Sequence, residues 1–169
     1  DMDITTHLKP RVLVVPDFKN GKIRLSQRFV DALQQGSKVI AVIASGAEYF
    51  DEEMDIAEAA GILLPGSNSH YHPKHYGAAQ DEPDTAYDLV RDDLVKAAVE
   101  KAYEKDIPIF GICSGMQGIV LFGDAKGRLI PDLHNVERPG HHAAGRAAQQ
   151  DFQEATAALL SAGNSFRVT

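Results

Sequence analysis

Up to Gly123, short apolar runs of strand length alternate with longer stretches in which apolar residues recur at helical spacing. "RVLVVP" (11–16) is a β-branched run stopped by Pro16, and "RLSQRFVDALQQG" (24–36) places Leu25, Phe29 and Leu33 on one helical face before Gly36 closes it. "KVIAVIA" (38–44) and "AGILLPG" (60–66) read as two further strands, the second ending at Pro-Gly. These runs are apolar on both faces, the pattern of central strands in a parallel sheet covered by helices. "DTAYDLVRDDLVKAAVEKAYEKD" (84–106) predicts a long helix with Asp84 as N-cap and Leu89, Leu94, Ala97, Ala98 and Tyr103 along its inner stripe. "IPIFGIC" (107–113) is the fourth strand, and "SGMQGIVLFG" (114–123) the helix after it. Later the signal weakens: "RLIPDLHN" fits a strand or an edge hairpin, "AAQQDFQEATAALLSAG" a helix, and "SFRVT" the opening of a final strand. The alternation predicts βα units and an α/β fold with a mostly parallel sheet.

Composition narrows the function classes. A chain of 169 residues with 44% hydrophobic content fits one domain with a real core. Its net charge of −7 supplies no basic stripe for a phosphate backbone or an anionic membrane surface, which excludes nucleic acid and membrane as expected partners. The apolar runs are far shorter than the roughly 18 residues a membrane-spanning helix needs, and no signal-peptide pattern opens the chain. The expectation is a soluble, cytoplasmic protein. A single cysteine forms no internal disulfide, consistent with a reducing compartment. The acidic stretches "YFDEEMDIAE" (49–58) and "DEPD" (81–84) read as solvated faces, lacking calcium-loop spacing. "GDAKGR" (123–128) lacks Walker A spacing and follows a helix, so no phosphate site is expected there.

The lone cysteine carries the chemistry. "GICSG" is G-x-C-x-G between a predicted strand and a predicted helix, the nucleophile-elbow pattern with cysteine in place of serine. Glycines flank such a nucleophile because side chains at Gly111 and Gly115 would collide with the neighbouring strand and helix. Cys113 then projects at the carboxyl end of the sheet, where open α/β folds place ligands, and the helix amino terminus beneath it favours thiolate over thiol. The alternative is a buried structural cysteine. Acyl transfer also needs oxyanion donors, and the strand ending in Pro-Gly-Ser offers the backbone amide of Ser67 to converge with that of Ser114.

With these residues in place, the chain resembles class I glutamine amidotransferase-like proteins, in particular the gamma-glutamyl-gamma-aminobutyrate hydrolase branch of the gamma-glutamyl hydrolases. "GILLPGSNSHYHPKHYG", "RDDLVKAAVEKAYEKDIPIFGICSGMQ" and "KGRLIPDLHN" carry the resemblance, in family order. It implies a flavodoxin-like three-layer sandwich, with residues 1–169 forming the nucleophile-bearing, N-terminal portion of a single domain whose C-terminal part lies beyond this chain. It implies Cys113 attacking a gamma-glutamyl amide, oxyanion amides at Ser67 and Ser114, and substrate contacts at Gly66 and Gln117. It implies no cofactor and no metal.

Two departures modify that picture. Ser114 stands where the branch has arginine after the nucleophile, which bears on substrate preference. The family's catalytic histidine and its acidic partner follow a late strand that "NSFRVT" resembles, and the chain stops at Thr169. A second polypeptide or a following region is therefore expected to supply the base. His141 and His142, in "HHAAGR", and the cluster His70, His72 and His75, in "HYHPKH", read as a solvent loop and a pocket-shaping loop, without a fourth ligand for zinc. The favoured function is hydrolysis of a small gamma-glutamyl amide through a gamma-glutamyl thioester. The alternatives are a glutaminase subunit delivering ammonia to a synthase partner and a catalytically silent binding module. Homodimerisation is left open.

Overall fold

A computed structural model of the chain describes residues 9 to 124, except 37 and 81, together with 127 and 129. The expected elements in "RLIPDLHN", "AAQQDFQEATAALLSAG" and "SFRVT", and the pair His141 and His142, lie outside the described residues. Four strands, β1 (Arg11–Val14), β4 (Ile40–Ile43), β5 (Gly61–Leu64) and β6 (Ile109–Gly111), form a parallel sheet in the order β4-β1-β5-β6. Helices α1 (Gln27–Gly36), α2 (Phe50–Ala57), α3 (Leu89–Glu104) and α4 (Ser114–Phe122) flank it, as a flavodoxin-like fold requires. The chain moves outward from β1 to β4, then returns past β1 to β5 and β6. That reversal opens a crevice at the carboxyl ends of β1 and β5.

The core forms where the sheet meets its helices. Leu13 of β1 and Val15 just after it, Ile62 and Leu64 from β5, and Leu94, Val95, Ala98 and Val99 from α3 are all buried, joined by Phe50 and Met54 of α2. Strand β5 is buried along its whole length, matching its uniformly apolar sequence. Strand β4 is equally apolar yet borders the described sheet, leaving Ile40 43% and Ile43 47% exposed. Between β1 and α1 a hairpin intervenes, β2 (Asp17–Lys19) and β3 (Lys22–Arg24), turned by Asn20 and Gly21, both at positive φ. Within the acidic stretch 49–58 lies helix α2: Asp51 and Asp55 reach Lys101 of α3 and Lys105 at its C-cap at 3.2 and 2.6 Å, while Phe50, Met54 and Ala57 are buried.

Helix α3 begins one turn later than the sequence suggests. Residues Asp84–Ala86 form a separate 3-10 turn, and the cap is Asp88, whose carboxylate accepts the Arg91 N–H at 3.0 Å. The register of the inner face shifts accordingly. Leu94 and Ala98 face inward as expected, Leu89 is 44% exposed, and the buried positions of the first turn are Arg91 and Asp92. Asp106 in the left-handed conformation (φ 53°) ends the helix, and Pro108 leads into β6.

Candidate active site

The site is built where β6 turns into α4. Ile112 N–H donates to Leu64 O at 2.9 Å, tying the end of β6 to β5, and the next residue, Cys113, takes φ 52° and ψ −112°. Such backbone in a residue with a side chain costs about 1–3 kcal/mol and persists only where its surroundings enforce it. Here they do. Gly115 N–H donates to Ile112 O at 2.9 Å and Gln117 N–H to Cys113 O at 3.2 Å, closing the first turn of α4 around the cysteine. A Cβ at Gly111 would stand 2.6 Å from the Gly115 carbonyl carbon, and one at Gly115 would stand 2.0 Å from Leu64 O. Both expected collisions are therefore present, with helix backbone in the first case and strand backbone in the second. The thiol-bearing residue is exposed, as a nucleophile must be and a structural cysteine is not.

The loop after β5 lies against it. A Cβ on Gly66 would stand 3.4 Å from Cys113 Cβ, ordinary van der Waals contact, so the two residues are immediate neighbours. Ser67 N–H donates to Ser114 Oγ at 2.9 Å, and Ser69 N–H donates to Ser67 Oγ at 3.1 Å. Among the described residues no hydrogen bond engages the N–H of Gly66 or of Ser114. The serine that replaces the expected arginine is buried and locks the two loops together. Val15, Asp17, Arg24, Pro65, Gly66 and Cys113 are among the residues lining a cleft of about 440 Å³. Gln117 is exposed one helical turn beyond Cys113.

Beneath the cleft runs a buried polar network. Arg91, only 2% exposed, donates from Nη2 to Pro65 O at 2.7 Å and from Nη1 to Tyr71 Oη at 3.3 Å. Its Nε is 3.0 Å from Asp17 Oδ1 but too poorly aligned for a hydrogen bond, so that contact is charge attraction without a directed donor. Tyr71 Oη donates in turn to Ser114 O at 2.8 Å. Burial raises the Tyr71 phenol above its ordinary range, against the opposing pull of the Arg91 charge, which keeps it a donor at neutral pH. Asp88 completes the frame by accepting the Phe18 N–H at 2.7 Å.

The histidines of "HYHPKH" have other engagements. His75 Nε2 is 3.1 Å from Asp92 Oδ2, which also accepts the His72 N–H at 3.0 Å. His72 Nδ1 accepts the Lys74 N–H, and His70 pairs with Glu82. Burial pushes the Asp92 carboxyl up to about 6 and the His75 imidazole down, so at neutral pH a neutral ring donates to a carboxylate. The His75 ring packs edge-on against Phe122, at the far end of α4. A helix rising 1.5 Å per residue puts that end roughly 13 Å from Cys113, beyond reach of its proton.

An exposed cysteine held at positive φ between strand and helix, with glycines demanded on both sides, decides between the families the fold could serve. The sequence profile described as peptidase C26 matches residues 12–165. The chain belongs to the peptidase C26 family. A gamma-glutamyl-gamma-aminobutyrate hydrolase of Escherichia coli is 39% identical over 98 residues, covering 57% of this chain and 38% of that protein. A protein of the same name from Shigella flexneri is 38% identical over the same length. A glutamine amidotransferase-like protein of Rickettsia prowazekii is 31% identical over 109 residues, covering 64% of this chain and 38% of its own. This C26 chain thus spans about two fifths of the length of these relatives.

The structure brings Cys113, Ser114, Gly66 and Ser67 together at one end of the sheet. Sequence reasoning passed over Arg91, Tyr71 and Asp17. A charged residue inside an amphipathic helix carries no local mark of burial, and only the apolar neighbours of Tyr71 in three dimensions distinguish it from other loop aromatics.

Proposed function

We propose that this chain carries the nucleophile of a hydrolase of gamma-glutamyl amides, with Cys113 as the attacking group. The strained, glycine-enforced backbone at Cys113 carries the reading, because it costs stability and its return is an exposed sulfur in a cleft. Hydrolase-named relatives in Escherichia coli and Shigella flexneri supply the substrate class.

Cys113 Sγ bonds to the gamma-carbonyl carbon as a general base takes the thiol proton. Charge gathers on the former carbonyl oxygen, toward which the open N–H groups of Ser114 and Gly66, beside Cys113, would donate, and Ser67 supports them through Ser114 Oγ. Collapse breaks the C–N bond, the amine leaves with the proton, and a gamma-glutamyl thioester remains. Water then attacks the thioester, releasing glutamate and restoring the thiol. Arg24, at the cleft wall, offers a cation to the alpha-carboxylate of the glutamyl group, and Gln117 positions that group from α4. The base belongs outside the described residues, in a later region or a second polypeptide. Cofactors have no role in this sequence of steps.

Substrate protection tests the reading. Alkylation of Cys113 by iodoacetamide should slow when gamma-glutamyl-gamma-aminobutyrate is present and continue unchanged with gamma-aminobutyrate alone. Equal rates under both conditions would contradict a gamma-glutamyl site. Protection by glutamine as strong as by the larger amide would favour the glutaminase alternative, in keeping with the glutamine amidotransferase-like name of the Rickettsia relative.

A further inference from the structure

We propose that Arg91 is a positioning residue for the Cys113 chemistry, gripping the Pro65–Gly66 peptide from behind and polarising its N–H toward the developing oxyanion. The inference rests on the gamma-glutamyl reading above and adds a residue that touches neither substrate nor thiol.

The chemistry lies in the two sides of one peptide group. In a trans peptide the C=O and the N–H point in opposite directions, so whatever fixes one aims the other. Arg91 Nη2 fixes the Pro65 carbonyl at 2.7 Å, a short, charge-assisted bond. The Gly66 N–H of the same peptide is left without a partner among the described residues, on the residue that packs against Cys113. A cation on the carbonyl also draws electron density from the amide, making that N–H a stronger donor.

The second arm of the guanidinium reaches, through Tyr71, the residue that carries the other donor. Nη1 meets Tyr71 Oη, and Tyr71 Oη donates to the carbonyl of Ser114, the first residue of α4. One side chain therefore sets the spacing between the loop after β5 and the amino end of α4, the two segments that flank the oxyanion position. Asp17, which also lines the cleft, balances the charge at 3.0 Å. Packing alone does not account for this choice. Burying a guanidinium carries a desolvation penalty of several kcal/mol, which an apolar residue on the inner face of α3 would avoid. A cation is repaid where backbone dipoles must be held in one orientation.

The test separates the oxyanion site from the thiol. A gamma-glutamyl aldehyde adds to Cys113: Sγ bonds to the aldehyde carbon, the thiol proton passes to the oxygen, and that oxygen occupies the oxyanion position. Iodoacetamide reads the thiol alone. Deleting an oxyanion donor outright costs 10²–10³, and Arg91→Lys keeps the charge while losing the fork, so aldehyde affinity should fall about tenfold. Iodoacetamide alkylation should stay within about twofold of the wild-type rate, because no oxyanion develops there. Parallel changes in both readings, or none in either, would make Arg91 a purely structural clamp and overturn the proposal. Should Arg91→Lys fail to fold, amide NMR of the wild-type chain decides. Aldehyde addition should move the Gly66 and Ser114 N–H resonances downfield, and an unmoved Gly66 resonance would overturn the proposal. A wild-type chain that forms no aldehyde adduct would instead sink the gamma-glutamyl reading itself.

Discussion

At the scale of single residues, the candidate site is a place where the backbone gives up stability. Cys113 holds φ 52° and ψ −112° because β6, β5 and the first turn of α4 leave it no other path. Cys113→Gly should relieve the strain at the expense of greater chain entropy, for a net gain of about 1 kcal/mol measured as a higher urea midpoint. A lower midpoint would show the backbone to be unstrained. Gly115→Ala acts in the other direction. Its Cβ would fall 2.0 Å from Leu64 O, a backbone atom that cannot step aside, so unfolding should become easier by about 3 kcal/mol or more. An unchanged midpoint would mean that α4 does not seat on β5 as described. Cys113 and its glycines were legible because their meaning is local: five consecutive letters between a strand and a helix. The occupation of the Ser67 N–H by Ser114 Oγ was not, since it joins loops 47 residues apart, and it moves the open donor from Ser67 toward Gly66.

At the scale of elements, α3 shows how periodicity can name a helix and mistake its face. The long helix was plain from "DLVRDDLVKAAVEKAYEKD", but charge at Arg91 and Asp92 implied solvent, whereas both are 2% exposed. Burial of Arg91 depends on partners 20 and 26 positions away in Tyr71 and Pro65, and that of Asp92 on His72 and His75, which local periodicity does not reveal. The Asn-Gly turn of the β2–β3 hairpin is the reverse case, a local signal in "DFKNGK" that a search for long apolar runs passes over. Asp88 caps α3 and also accepts from Phe18 N–H of that hairpin, so Asp88→Ala should cost about 2 kcal/mol in equilibrium unfolding. A loss below about 0.5 kcal/mol would remove the cap from the account. Asp92 gives a pH signature. Its carboxyl is raised to about 6 from an unperturbed 3.8, so the folded state binds that proton more tightly than the unfolded state. The associated stability is full below pH 3.8 and fades as pH rises through about 6. The advantage of wild type over Asp92→Asn should therefore shrink across that window, followed by urea midpoints at successive pH values. An advantage that grows with pH would contradict it.

At the scale of the whole chain, the cleft follows from strand order. Because β4 and β5 lie on opposite sides of β1, the loops after β1 and β5 diverge over a crevice, and β6 delivers Cys113 to its edge. The alternation of runs along the sequence predicted such a sheet, although apolar content alone placed β4 in its interior rather than at the border of the described strands. Among the described residues no helix is long and apolar enough to cross a membrane. The central claim is that Cys113 becomes acylated by a gamma-glutamyl group. Intact-mass spectrometry of the chain, quenched in acid after brief exposure to an activated gamma-glutamyl anilide, tests it most directly. The account predicts one added glutamyl group, located on Cys113 by peptide mapping, released by hydroxylamine and absent from Cys113→Ala. Acylation at any other residue, or none under conditions that leave Cys113 open to alkylation, would contradict it.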